Sequence, residues 1–129
     1  MFGAIRIGSV HGIPIRVHVL FLLLVGFLAL SGAGPVYMAL IALLAVVVVL
    51  HELGHSLVAQ RFGIRVIDIT LWPLGGLARL SHVPESSRIE ALIAIAGPAV
   101  NFALAALGVP LWIAVTAAFG PAGVAAEIA

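Results

Sequence analysis

Fifteen consecutive apolar residues, at positions 36–50, run directly into a His-Glu-Leu-Gly-His segment. A bilayer-spanning helix needs about 20 mainly apolar residues, and continuing this run to Gln60 exceeds that length. Over the whole chain of 129 residues, 64% are hydrophobic and 9% are charged, whereas soluble domains carry roughly a quarter charged residues. This balance disfavours a soluble enzyme, a nucleic-acid-binding domain or a disordered tail. The bilayer is therefore the expected solvent.

Two further apolar blocks flank the run at 36–60. The first, extended to residues 16–33, reaches the lower limit for a membrane span. The last covers 89–109 or continues to 119. For the first block a removable signal peptide is the alternative, because residues 31–33 (Ser-Gly-Ala) could serve as a cleavage site.

The segment between the second and third blocks has a different character. β-Branched residues followed by a Pro-Leu-Gly-Gly turn predict a hairpin over residues 64–80. We therefore predict an all-α membrane protein with three transmembrane helices and a short β-hairpin between the second and third.

The arginines predict the orientation of this topology. Two of the six lie before or at the start of the first block, and the other four lie between the second and third blocks. The positive-inside rule then places the N-terminus and the 61–88 loop in the cytoplasm of a multi-pass cell-membrane protein. Removal of the first block as a signal would leave the two N-terminal arginines without this explanation.

The His-Glu-Leu-Gly-His motif at residues 51–55 has the side chains needed for metal-dependent catalysis. On a helix, His51 and His55 share a face, with Cβ atoms about 6 Å apart, so both imidazoles can bind one metal ion. Glu52 flanks that face, where it can take a proton from the attacking water. Ionisable side chains in a bilayer cost about 2.5–3.5 kcal/mol each, whereas a complete zinc site returns about 10–16 kcal/mol. The motif therefore favours metal binding over polar helix packing.

At this motif the chain resembles the site-2 protease family of intramembrane zinc metalloproteases. HELGH lies in a hydrophobic helix, GIPIRVHVLFLLL resembles the start of the family's first helix, and WPLGGLARL resembles its glycine-containing strand. AGPAVN, at residues 96–101, matches the family's Ala-Gly-Pro-x-x-Asn motif. The resemblance implies Zn²⁺ on His51 and His55, Glu52 as general base, and a transmembrane protein as substrate.

The resemblance also exposes a departure. The family takes its third metal ligand from an Asp-Gly motif on a further helix, and this sequence contains no Asp-Gly. We therefore expect residues 1–129 to be a single membrane-embedded metalloprotease domain, truncated before that helix. Glu85 or Glu90 is the local alternative ligand, against a plain role as helix N-terminal acids. Asp68 is expected simply to point to the polar side of a strand.

Some features stay open at this stage. Asn101 either bonds between helices in a small-residue stripe or faces the metal helix. His11, His18 and His82 are expected to be interfacial side chains. Two other functions remain possible: a protein that binds or transports metal ions, and a catalytically incomplete protease remnant that packs with a partner or another copy. Besides protein substrate and membrane lipid, no nucleic acid is expected as a partner.

Overall fold

The structure, a computed structural model, describes the backbone of residues 3–128 and the side chains of residues 3–120. This part of the chain forms four strands and three helices. In chain order they are β1 (Ala4–Val10), β2 (Ile13–His18), α1 (Val19–Leu30), α2 (Pro35–Arg61), β3 (Val66–Trp72), β4 (Gly75–Leu80) and α3 (Ser87–Ile128), the last with a non-helical backbone at Gly120.

The prediction of an all-α protein with three membrane spans is wrong. The four strands form one mixed sheet in the order β1-β2-β3-β4. β1–β2 and β3–β4 are antiparallel, whereas β2 and β3 are parallel neighbours. The predicted hairpin over 64–80 is present as β3–β4, but it is half of a larger sheet rather than an isolated pair.

The N-terminal hairpin accounts for much of this error. Its two-residue turn consists of His11 and Gly12, both with positive φ (49° and 76°). Positive φ at both turn residues matches the type I′ turn, whose twist suits a two-residue hairpin. The His-Gly pair between two runs rich in β-branched residues is the sequence signal for this hairpin.

The first predicted span is shorter than expected. Residues 16–18 belong to β2, and α1 begins at Val19 because the Leu20 N–H donates to Nδ1 of His18 at 3.1 Å, capping the helix. The 12 residues of α1 cover about 18 Å, well below the roughly 30 Å of a bilayer core. Within the described residues, two helices are long and apolar enough to cross a membrane, Pro35–Arg61 and Ser87–Gly120.

These two long helices lie close to their predicted bounds. α2 extends the prediction by one residue at each end. α3 begins after Ser86, whose hydroxyl accepts from the Ile89 N–H at 3.2 Å, and it continues through Pro98 and Pro110. Neighbouring groups in a helix assembly can accommodate such prolines, so α3 follows the longer of the two predicted bounds, 119, rather than ending at 109.

The sheet packs against the C-terminal half of α2. The buried core joins Ile13 and Ile69 of the sheet to Leu53 and Ala59 of α2, and Ile93 of α3 completes it. Elsewhere the helices expose large apolar side chains, including Leu40, Leu43, Leu44, Phe102 and Leu107. An exposed apolar surface of this extent is typical of a protein that contacts lipid or further protein.

A buried ion pair ties the strands together. Asp68 on β3 is 1% exposed and accepts hydrogen bonds from the guanidinium of Arg79, its register partner on β4. Arg16 of β2 lies nearby, with Nε 3.4 Å from Oδ2 of Asp68, in an ion pair without hydrogen-bond geometry. Asp68 therefore does not point to an open polar face, as expected from the sequence, but is enclosed by arginines.

This pair makes folding stability depend on acid pH. The hydrogen bond from Arg79 holds the pKa of Asp68 below its usual range, although burial opposes it. Because the unfolded pKa is about 3.9, the contribution is present above about pH 4 and is lost as pH falls through the lower folded pKa. We predict that detergent-solubilised protein loses this stability below about pH 4, as measured by its thermal unfolding midpoint.

Asp68→Asn should lower the midpoint at pH 7 and weaken this acid dependence. Glu85→Gln, which changes an exposed carboxylate, is the matched control and should leave both unchanged. Equal acid profiles for wild type and Asp68→Asn would contradict the assignment.

Candidate metal centre

The structure brings His51 and His55 of α2 together. Their Nε2 atoms are 3.1 Å apart, and their ring centroids are 4.7 Å apart with the rings nearly perpendicular. Two nitrogens bound to one tetrahedral zinc at about 2.0–2.1 Å would lie about 3.3–3.4 Å apart. The two imidazoles therefore fit adjacent positions of a single zinc ion.

A backbone group from α3 holds one of these rings. Nδ1 of His55 lies 2.6 Å from the carbonyl oxygen of Ile93. A carbonyl only accepts hydrogen bonds, so Nδ1 carries the proton in the neutral ring and Nε2 presents a lone pair toward His51. A carbonyl partner of this kind is the usual outer support of a metal-binding histidine.

Glu52 lies on the same helix, beside the two imidazoles and facing the sheet. Its side chain is half-buried and lies against Gly76 of β4. The carboxylate is thus held between the metal-ligand face of α2 and the last strand of the sheet, which suits a group that exchanges protons with water near a metal.

Close helix packing underlies this arrangement. A Cβ added at Gly54 of α2 would lie 2.7 Å from the carbonyl oxygen of Ala96 and 2.7 Å from Cγ2 of Val100 on α3. Because Cβ atoms do not approach other atoms this closely, only glycine allows the two helices to meet here. The meeting point is one residue from His55, so it sets the distance between the imidazoles and the α3 backbone.

No third metal-ligand side chain joins the two imidazoles within residues 3–120. Glu85 and Glu90 are exposed around the start of α3, where the helix dipole favours acids. Asp68 is engaged by Arg79. The local substitutes considered from the sequence therefore do not complete the site.

The other three histidines make their contacts outside the pair formed by His51 and His55. His18 caps α1, His82 contacts its neighbour Ser81, and the backbone carbonyl of His11 accepts a hydrogen bond from Gln60. Asn101 is exposed, without a hydrogen-bond partner in the described part of the chain.

Sequence reasoning did not find the contribution of Ile93. The group that matters is a backbone carbonyl, which any residue provides, so the sequence carries no signal for it. The sequence indicates close backbone approach at Gly76 and a small-residue stripe that includes Gly97, but it does not identify the side chains that either glycine contacts.

The chain is similar to known metallopeptidases over the region that contains this site. The family model described as peptidase family M50 matches residues 39–123, which include the His-Glu helix and most of α3. A site-2 protease from Methanocaldococcus jannaschii superimposes with a TM-score of 0.63 and 41% identity, covering 77% of this chain and 46% of that chain.

Curated relatives give the same family. A zinc metalloprotease of Methanocaldococcus jannaschii is 40% identical in a match that covers 77% of this chain and 30% of that protein. A putative zinc metalloprotease of Synechocystis sp. is 43% identical in a match that covers 78% of this chain and 30% of that protein. The chain thus spans under a third of the length of these relatives. It belongs to peptidase family M50, the site-2 protease family of zinc metalloproteases.

Proposed function

We propose that this protein is an intramembrane zinc metalloprotease that hydrolyses a peptide bond in a transmembrane segment of another protein. The observation that carries the proposal is the convergence of the two Nε2 atoms, 3.1 Å apart, with Glu52 beside them on one apolar helix. If the two histidines served only in polar helix packing, their Nε2 atoms would not have to converge on one point.

The residues have separate roles in this reaction. Zinc, when bound, would supply Lewis acidity to polarise the scissile carbonyl and lower the pKa of water. His51 and His55 would hold the metal, and the Ile93 carbonyl keeps the His55 ring proton on Nδ1. Glu52 would take one proton from water as the water oxygen bonds to the carbonyl carbon, and would deliver that proton to the amine nitrogen as the C–N bond breaks.

The metal coordination needs a group beyond the two imidazoles. Catalytic zinc sites have three protein ligands and an open position. We propose that a further segment of a longer polypeptide supplies the third ligand, in line with the Asp-Gly motif expected of the family. The relatives' additional length is compatible with such a segment. Zinc binding and peptide cleavage are therefore measured on the polypeptide that includes this segment.

The fold supports the proposed orientation. Each of the six arginines belongs to the sheet or to the chain segments and helix ends beside it: Arg6, Arg16, Arg61, Arg65, Arg79 and Arg88. The positive-inside rule puts this end in the cytoplasm, with α2 and α3 crossing the bilayer. His55 is then about 9 Å along α2 from Arg61, in the cytoplasmic half of the membrane.

The sheet offers a way to bind an unwound substrate. β4 is the last strand of the sheet, and within the described residues its outer edge is unpaired. It lies against Glu52 through Gly76. An extended substrate segment that adds to this edge would satisfy its backbone groups by strand addition and present a peptide bond beside the general base.

Glu52→Gln tests the general base. The amide cannot take the proton, so cleavage of a reporter transmembrane peptide should fall by about 10²–10⁴-fold, whereas bound zinc measured by atomic emission should not change. Glu85→Gln is the control and should cleave at the wild-type rate. Undiminished cleavage by Glu52→Gln would refute the assignment.

His55→Ala tests the metal site. We expect wild type to bind one zinc ion per chain. In His55→Ala, zinc affinity measured by chelator competition should fall by more than the roughly 10–100-fold seen when a residue that only hydrogen-bonds to a ligand is removed. His82→Ala removes an exposed imidazole and should bind zinc like wild type. A wild-type protein that transports metal ions in vesicles without cleaving peptide would favour the transporter instead.

The chain's lack of cysteine permits a clean test of orientation. Single variants Ser9→Cys and Ser87→Cys should react with a membrane-impermeant maleimide only from the cytoplasmic side, because both sites adjoin the arginine-bearing sheet. Ser31→Cys, in the loop after α1, should react only from the other side. Labelling of Ser9→Cys and Ser31→Cys from the same side would contradict the topology.

A further inference from the structure

Two glycines touch the chemical groups of the site from opposite elements. Gly97 of α3 is buried against the imidazoles: a Cβ there would overlap the His55 ring and lie 2.8 Å from Nε2 of His51. Gly76 of β4 lies against the general base: a Cβ there would be 2.6 Å from Cγ of Glu52 and 2.9 Å from Cγ1 of Val48. Each glycine therefore leaves room for a different functional side chain.

Helix packing alone does not explain Gly97. Packing of α2 on α3 is served by Gly54, whose missing Cβ faces the backbone of Ala96 and the apolar side chain of Val100. The missing Cβ of Gly97 faces ring atoms instead. A side chain at this position would push the imidazoles from their present positions, even if the helix axes stayed in place.

Ile93 and Gly97 act on the same ring. They are four residues apart, so they lie on one face of α3. The Ile93 carbonyl holds Nδ1 of His55 at 2.6 Å, and the space at Gly97 accepts Nε2 and Cε1 of that ring. The hydrogen bond sets the tautomer, and the vacant Cβ position allows Nε2 to approach His51.

We propose that Gly97, together with the Ile93 carbonyl, is a positioning residue for the metal ligands, and that Gly76 is a positioning residue for Glu52. This inference rests on the proposed zinc protease function and deepens it. In this proposal α3 positions the zinc ligands, and β4 positions the general base. Substitution of Gly97 should weaken zinc binding without directly displacing Glu52, and substitution of Gly76 should displace Glu52 without weakening zinc binding.

Alanine substitution should change a different measured quantity at each of the two positions. Gly97→Ala should weaken zinc binding by about 10–100-fold, as loss of ligand support does. Gly76→Ala should retain zinc and KM but lower kcat by about 10–100-fold, because a small displacement of a catalytic group has an effect of this size. A rise in KM with unchanged kcat in Gly76→Ala would indicate substrate contact and overturn its proposed role.

The experiment uses purified wild type, the two variants and two controls. Gly108→Ala, on α3, and Gly8→Ala, on the edge strand β1, add a Cβ where no atom lies within 4 Å. Zinc affinity is measured by chelator competition, and kcat and KM with a reporter transmembrane peptide. The controls should match wild type. Wild-type zinc affinity in Gly97→Ala, or wild-type kcat in Gly76→Ala, would overturn the proposal.

A spectroscopic measurement keeps the proposal testable if Gly97→Ala fails to fold. In metal-free wild type, two-bond ¹H–¹⁵N correlation spectra should show neutral His55 protonated on Nδ1. Protonation on Nε2 would overturn the role of the Ile93 carbonyl. If wild type neither binds zinc nor cleaves peptide, the proposed function fails instead, so the two failures are distinguishable.

Discussion

The contact between α2 and α3 determines the geometry on which the site depends. At Gly54 the backbone of α2 packs directly against the Ala96 carbonyl and the Val100 side chain of α3. This brings the α3 backbone within hydrogen-bonding distance of His55. α3 thus shapes the metal centre without donating a ligand of its own among residues 3–120. A side-chain acceptor for the Nδ1–H of His55 would have required a further polar group inside an apolar helix, whereas a backbone carbonyl is already present.

The sheet depends on a second constraint, the buried carboxylate of Asp68. A buried charge contributes little net stability unless it is well paired, but it penalises any arrangement that leaves it unpaired. Here its partners come from β4 and β2, on either side of β3. A shift in strand register would separate Asp68 from Arg79 and leave the charge buried alone. The Arg79 pair therefore favours the observed β3–β4 register, and the Arg16 contact links β3 to the N-terminal hairpin.

Most local features of this protein could be predicted from its sequence, with the β1–β2 hairpin as the exception, and the non-local ones could not. Helices α2 and α3 follow from long apolar runs, and the proximity of His51 and His55 follows from helical periodicity. The β1–β2 hairpin is harder to predict, because β2 runs directly into the apolar block that forms α1. The pairing of β2 with β3 joins residues more than fifty positions apart, and no pattern within either strand specifies it.

The parallel pairing of β2 with β3 has a consequence for how the chain acquires its structure. β2 is complete by residue 18, but its neighbour begins only after both α1 and α2 have been made. The inner edge of the N-terminal hairpin therefore stays open during synthesis of this whole interval. Contacts of such long sequence separation form slowly, because the intervening loop must close first. The sheet face that packs against α2 is therefore completed late. Substitutions in the first eighteen residues that disturb β2 would alter the HELGH helix through the core that β2 shares with α2.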